Sequence, residues 1–277
     1  MKITSTRTRT YRTLAVLIVL LTAAAFCFGQ QRLLVIGGGE RPNDAMKKFV
    51  EWSGGRNARL LMITWASGVP DESFASLEKQ FSQFEYSSIV HAATRPLHAE
   101  KRAEFIEQLR TATGVFLSGG DQNRIMDVLA DEELLKLIRQ KYAAGTPFGG
   151  TSAGAAVMSD PMMTGETDLK ILDGAKVGVR RGLGFIPNVM FDQHFLVRQR
   201  HNRLIGFVLK DPEYLGIGID EDTAVLIEDN RKLTVVGTSQ VMFLNAKPRD
   251  AVRLNILKPG ERFDLKKRKS ETRQFRN

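Results

Sequence analysis

Gly150-Thr-Ser-Ala-Gly154 follows the apolar approach through Phe148 and precedes a small-residue run, Ala155-Ala-Val157. This is the G-x-S-x-G pattern in which a serine sits on a sharp strand-to-helix turn with its hydroxyl displayed above a sheet. Glycines at 150 and 154 permit that turn and a close helix-strand approach. A serine nucleophile needs a base, an acid to orient the base, and donors for an oxyanion. Of the four histidines, His91 and His98 fall in a polar connection and read as surface residues, and His201 reads as exposed on a helix. His194, in Phe191-Asp-Gln-His-Phe195, directly follows an apolar strand and is the expected base for Ser152. For the acid, Glu166 follows Met162-Met-Thr-Gly165 at another apparent strand end, and Asp168 is next in line. The oxyanion donors are expected to be the amide of Ala153 and an amide of the Gly119-Gly120 loop, with Gly120 opening the approach. Arg198, Arg200 and Arg203 follow His194 and read as a helix bearing guanidinium groups suited to carboxylates.

The elements that must carry these residues alternate. Short apolar runs at 32–36, 59–64, 86–90 and 114–117, and the one before Ser152, are separated by helix-patterned stretches at 43–52, 70–84, 100–111, 123–129 and 132–144. Asn43-Asp44 reads as the cap of the first helix. Alternation of this kind predicts a parallel sheet covered on both faces, with reactive groups at the carboxyl ends of its strands. Three glycine-rich loops, 37–39, 119–120 and 149–150, fall at such ends. After Leu183 come a short strand at 189–191, a helix at 198–209, and strand-like runs at 215–219, 224–228, 233–237, 241–244 and 253–257. They read as an antiparallel β addition to the same domain.

Charge is concentrated at the ends. The formal net charge is +9, and residues 1–29 and 258–277 account for all of it, leaving 30–257 neutral. Nucleic acid is therefore not an expected partner, because a nucleic-acid-binding fold carries its basic patch on itself. Residues 258–277 read as a basic, solvated C-terminal tail. At the other end, basic residues from Lys2 to Arg12 precede an apolar run from Leu14 to Phe28. Residues 1–29 thus read as a secretory signal peptide, which implies a secreted or periplasmic protein with no stable membrane span once the segment is cleaved. An uncleaved anchor is the alternative. The mature unit is then a single domain over 30–277, in which a homodimer is the assembly left open. Cys27 is the only cysteine, so cleavage would leave no thiol for catalysis or metal binding. No metal or cofactor is expected: the histidines lack metal-ligand spacing, and no phosphate-loop or dinucleotide motif occurs.

Together, Gly150-Thr-Ser-Ala-Gly-Ala155, Gly119-Gly-Asp-Gln122 and Asp192-Gln-His-Phe195 with Arg198, Arg200 and Arg203 resemble the cyanophycinases, serine exopeptidases related to peptidase E. Ile217-Gly-Ile-Asp-Glu-Asp-Thr223 and Arg253-Leu-Asn-Ile256 look like the same family. The resemblance runs from about Leu33 to Asp264. It implies a flavodoxin-like α/β fold similar to class I glutamine amidotransferase domains, and a Ser-His-acid triad without a cofactor. It also implies a polypeptide substrate: cyanophycin, a poly-aspartate with arginines on its side chains, released as β-Asp-Arg dipeptides. Ser152 falls on the nucleophile and His194 on the base. Gln122, Asp192, Gln193, Arg198, Arg200 and Arg203 fall on substrate-pocket positions. The acid is expected between Ser152 and His194. Lys170 occupies the place expected from the cyanobacterial members, and Glu166 lies near the place expected from peptidase E. The alternatives are a related aspartyl or isoaspartyl dipeptidase, and a non-catalytic secreted binding protein on the same scaffold.

Overall fold

A computed structural model describes residues 29–167, 170, 172–247 and 251–271. The expected signal peptide and Asp168 lie outside the described residues. The strands are β1 (Arg32–Ile36), β2 (Arg59–Ile63), β3 (Ser88–His91), β4 (Gly114–Leu117), β5 (Phe148–Thr151), β6 (Met162–Thr167), β7 (Val177–Arg180) and β8 (Val189–Asp192). They continue with β9 (Leu215–Ile219), β10 (Thr223–Glu228), β11 (Lys232–Gly237), β12 (Val241–Asn245), β13 (Arg253–Leu257), β14 (Arg262–Asp264) and β15 (Lys269–Glu271). The helices are α1 (Asn43–Trp52), α2 (Pro70–Phe81), α3 (Ala99–Thr111), α4 (Gln122–Val128), α5 (Glu132–Ala143), α6 (Ala153–Ala156) and α7 (His201–Lys210).

The first five strands form the expected parallel core, in the order β1-β5-β4-β2-β3. Their runs are apolar on both faces because both faces are covered. Leu34 and Ile36 of β1 pack with Met46 and Phe49 of α1 and Phe81 of α2. Leu33 and Val35 face the other way, into a cluster with Phe105 of α3 and Leu135 and Ile138 of α5. α1 begins at Asn43 with Pro42 at its cap and no side-chain cap bond, so the expected Asn43-Asp44 cap is not made.

The antiparallel addition is split in two. β10, β11, β14 and β15 extend the core sheet beyond β1. β13, β12, β9 and β8 form a separate four-stranded sheet, with α7 packed on it through Leu204, Phe207 and Val208. β8 therefore does not belong to the core sheet, and it pairs in parallel with β9. β6 and β7 make a two-stranded sheet of their own.

The basic stretch at 266–269 is not a loose tail. It turns a hairpin between β14 and β15 at the sheet edge, with Phe263 buried and stacked on Phe243 at 4.0 Å. Arg231 pairs with Asp264 beneath it at 2.9 Å. Of these residues Lys269 lies on the edge strand β15, where a lysine discourages further strand pairing. None of the helices among the described residues is long and apolar enough to cross a membrane.

Candidate active site

The turn from β5 into α6 has the geometry that its glycines predict. Ser152 has φ 52° and ψ −113°, a left-handed backbone that a non-glycine residue adopts at a cost. A Cβ on Gly150 would lie 2.6 Å from the carbonyl of Gly154, and one on Gly154 would lie 2.3 Å from that of Leu117. Only glycine lets strand and helix close to this distance.

His194 comes from the second sheet and reaches Ser152 across the seam. Its Nε2 lies 2.8 Å from Ser152 Oγ. Its backbone is also left-handed, at φ 49°. The amide of His194 donates to Gly37 O at 2.7 Å. Gly38, at φ +117°, is so close to the imidazole that a Cβ there would meet Cε1 at 2.2 Å. The glycine loop after β1 is thus the wall against which the ring is set.

On the other side of the ring stands Glu221. Its Oε1 lies 2.5 Å from His194 Nδ1, completing a line from hydroxyl to imidazole to carboxylate. This corrects the expectation of Glu166. Glu166 belongs to β6, in the separate two-stranded sheet, while the position on Nδ1 is filled from the end of β9. The three acids after β9 divide the work. Asp220 accepts from the amides of Leu196 and Val197 at 3.0 and 3.1 Å. Glu221 takes the imidazole, and Asp222 accepts from the amide of Glu40 at 2.6 Å. The signal for Glu221 was present in sequence: an apolar strand ending in Asp-Glu-Asp is a strand end of the same kind that singled out His194. The expected chain order of serine, acid, histidine excluded it.

Burial lowers the pKa of His194 below its ordinary value. The Glu221 hydrogen bond and charge oppose that shift, and Arg198 and Arg200 reinforce it. The neutral ring is the form a base requires.

The Gly119-Gly120 loop borders Ser152, but the two glycines differ from expectation. A Cβ on Gly119 would lie 3.3 Å from Ser152 Cβ. A Cβ on Gly120 would instead strike the carbonyl of Ala66 at 2.2 Å, so this glycine serves packing against the 66–67 backbone. Ala153 opens α6, and the first amides of a helix have no partner within it.

The arginines after His194 are not one helical face. Residues 195–200 form a turn, with Gln199 at φ 51°, held by the Asp220 carboxylate, and α7 begins only at His201. Arg203 is fully enclosed and pairs with equally enclosed Asp192 through Nε at 2.8 Å and through Nη2. These two expected substrate contacts therefore satisfy one another. Arg200 reaches Gln193 O at 2.7 Å and also Gln193 Oε1. Burial and the neighbouring Arg203 push its pKa down to about 10. Arg198 is exposed. Gln122 is buried, with its amide donating to Met163 O at 3.0 Å. Of the six expected pocket residues, Arg198 and Arg200 keep the greatest exposure.

The other histidines are apart from this site. His91 is half-buried rather than a surface residue. It bonds Thr64 at 2.7 Å and stacks on Phe74. His98 is exposed, and His201 is partly covered by Phe195. The described residues contain no cluster of histidine, cysteine and acidic side chains able to hold a metal.

The profile of Peptidase family S51 matches residues 33–235, a span that takes in Ser152, His194 and Glu221. The chain belongs to this family. It is a serine-type peptidase by that membership. Among S51 relatives, a cyanophycinase from Geminocystis herdmanii is 32% identical over 254 residues, covering 84% of this chain and 93% of the relative. A cyanophycinase from Trichormus variabilis is 33% identical, covering 85% and 86%. A peptidase E from Shewanella amazonensis is 29% identical over a shorter span, 53% of this chain and 61% of its own. In structure, a peptidase from an acI-B1 actinobacterium superposes with a TM-score of 0.66 at 25% identity, covering 87% of this chain and 99% of that one. A putative peptidase E from Listeria monocytogenes, 17% identical with a TM-score of 0.54, shares the fold.

Proposed function

We propose that this S51 peptidase is an exported exopeptidase that hydrolyses cyanophycin to β-Asp-Arg dipeptides. The observation that carries the chemistry is the hydrogen-bonded line Ser152–His194–Glu221. His194 Nε2 takes the Ser152 proton as Oγ attacks the scissile carbonyl. Glu221 holds the ring through Nδ1 and stabilises the imidazolium that forms. The amide of Ala153 and one from the Gly119-Gly120 loop receive the oxyanion. Donors of this kind are typically worth several kcal/mol in the transition state. Imidazolium then protonates the leaving amine, an acyl-serine remains, and water activated by the same histidine releases the product. Arg198 and Arg200 supply positive charge beside the reacting bond for a substrate rich in free carboxylates.

The substrate reading is supported by the cyanophycinase relatives at 32–33% identity over most of the chain. The peptidase E relatives keep a second reading in play, a dipeptidase acting on aspartyl or isoaspertyl peptides. Export rests on the basic-then-apolar pattern of residues 1–29. The test is incubation of mature protein with cyanophycin and mass spectrometry of the products. Release of β-Asp-Arg that is abolished in Ser152→Ala is expected. Cleavage of short aspartyl peptides with no release from the polymer would favour the dipeptidase. N-terminal sequencing of protein recovered outside the cytoplasm would test the cleavage near residue 29.

A further inference from the structure

A cavity of about 390 Å³ opens beside Ser152, lined by Arg41, Glu72, Ser76 and Gly119 among others. None of the arginines that follow His194 lines it. Arg41 is unusual in this wall. It is half-buried, and burial lowers its pKa below the ordinary arginine value while its neighbour Glu40 opposes the shift. Its guanidinium is fixed by neutral groups, Nε to Gln80 Oε1 and Nη2 to Ser76 Oγ at 3.2 Å. Gln80 in turn donates to Arg41 O at 2.8 Å. Among the described residues no carboxylate stands within ion-pair distance of Arg41. Buried charges are ordinarily paired, because removing them from water is costly. Here a guanidinium is held in place by neutral groups, partly dehydrated, with no carboxylate in direct contact and only the through-space charge of Glu40 beside it, in the same cleft as the nucleophile.

We propose that this cleft is a substrate subsite in which Arg41 receives a free carboxylate. Glu72, exposed on the same wall, disfavours a doubly anionic occupant and suits a unit whose carboxylate is accompanied by a cation. The ligand class is therefore an amino-acid unit carrying both charges. The subsite is separate from the charge supplied by Arg198 and Arg200. Its assignment to an arginine-bearing unit rests on the cyanophycinase reading, whereas the carboxylate preference does not.

The experiment compares β-Asp-Arg with the same dipeptide amidated at the arginine carboxylate, by calorimetry on Ser152→Ala protein. The acid is expected to bind roughly tenfold or more tightly than the amide, as a charge-assisted contact implies. Adding Arg41→Gln should bring the acid down to the level of the amide and leave the amide within twofold. Arg41→Lys should keep part of the preference. Gln80→Met, which frees the guanidinium, should weaken it even if Arg41→Gln does not fold. A preference that survives Arg41→Gln, an equal fall for both ligands, or no preference in the Ser152→Ala parent would overturn the inference. Failure of wild-type protein to release dipeptide from cyanophycin, with the Arg41-dependent preference intact, would overturn the substrate reading alone.

Discussion

His194 can accept a proton only as the neutral ring, and its burial beside two arginines favours that form. In the free enzyme kcat/KM should therefore rise with pH through an ionisation whose midpoint lies below the ordinary histidine value of 6.5. The neighbours set its direction. Glu221 raises the pKa, so Glu221→Gln should move the midpoint further to acid while kcat falls by roughly 10⁴-fold. Arg198 lowers it, so Arg198→Ala should move the midpoint the other way. A pH-rate series on the three proteins checks both signs. Glu166→Gln should leave kcat within a few-fold of wild type, and equal loss in Glu166→Gln and Glu221→Gln would count against the assignment of the acid. At this scale the nucleophile and base were legible because each follows an apolar strand. The acid was missed although Asp220-Glu-Asp222 meets the same criterion, because the expected order of serine, acid, histidine placed it before His194; which of the three adjacent carboxylates meets the imidazole shows only in the fold.

The loop after β1 does more than end a strand. Gly37 accepts the His194 amide, Gly38 faces the imidazole, and Gly38 O accepts from the Asp222 amide at 3.0 Å. One loop thus registers both the base and the acid against the sheet that carries Ser152. Gly38→Ala would place a methyl inside the ring's space and should lower kcat by roughly 10²-fold with little change in KM, since small misplacements of a reacting group are costly. Steady-state kinetics with a thermal-unfolding control separates this from loss of fold. The strands of the parallel core were readable from their apolar runs, and β1 and β4 have the predicted bounds. Assignment of β8 and β9 to a second sheet was not readable. A four- or five-residue strand carries its own burial pattern but not the identity of its neighbour. The helix expected from Arg198 failed for a related reason: the Asp220 side chain, distant in sequence, holds the preceding turn open.

Across the whole molecule, two buried contacts hold the elements of the later third of the chain to one another. Asp192 and Arg203 lock β8 to α7, with side chains 0% and 3% exposed. Asp192→Asn should cost about 3–5 kcal/mol, the range for breaking one partner of a buried ion pair. Denaturant unfolding measures it. Phe263, 1% exposed and stacked on Phe243, joins the edge hairpin to the second sheet. Phe263→Ala should cost about 3–5 kcal/mol as a large-to-small change in a packed core, and a loss near zero would restore the reading of this end as a solvated tail. Composition had marked residues 258–277 only as basic; Phe263 and Leu265, both buried, form a run too short for periodicity to expose.

The seam between the sheets also makes the active centre depend on residues from both sides of the chain. Ser152 is in place once the parallel core is built, but His194 and Glu221 arrive from a sheet whose outer strands extend to residue 257. A ribosome-bound chain that has emerged only as far as β7 carries a displayed serine with no base to activate it. A fragment ending there should fold without hydrolysing peptides, because the base and the acid both come from residues after 185.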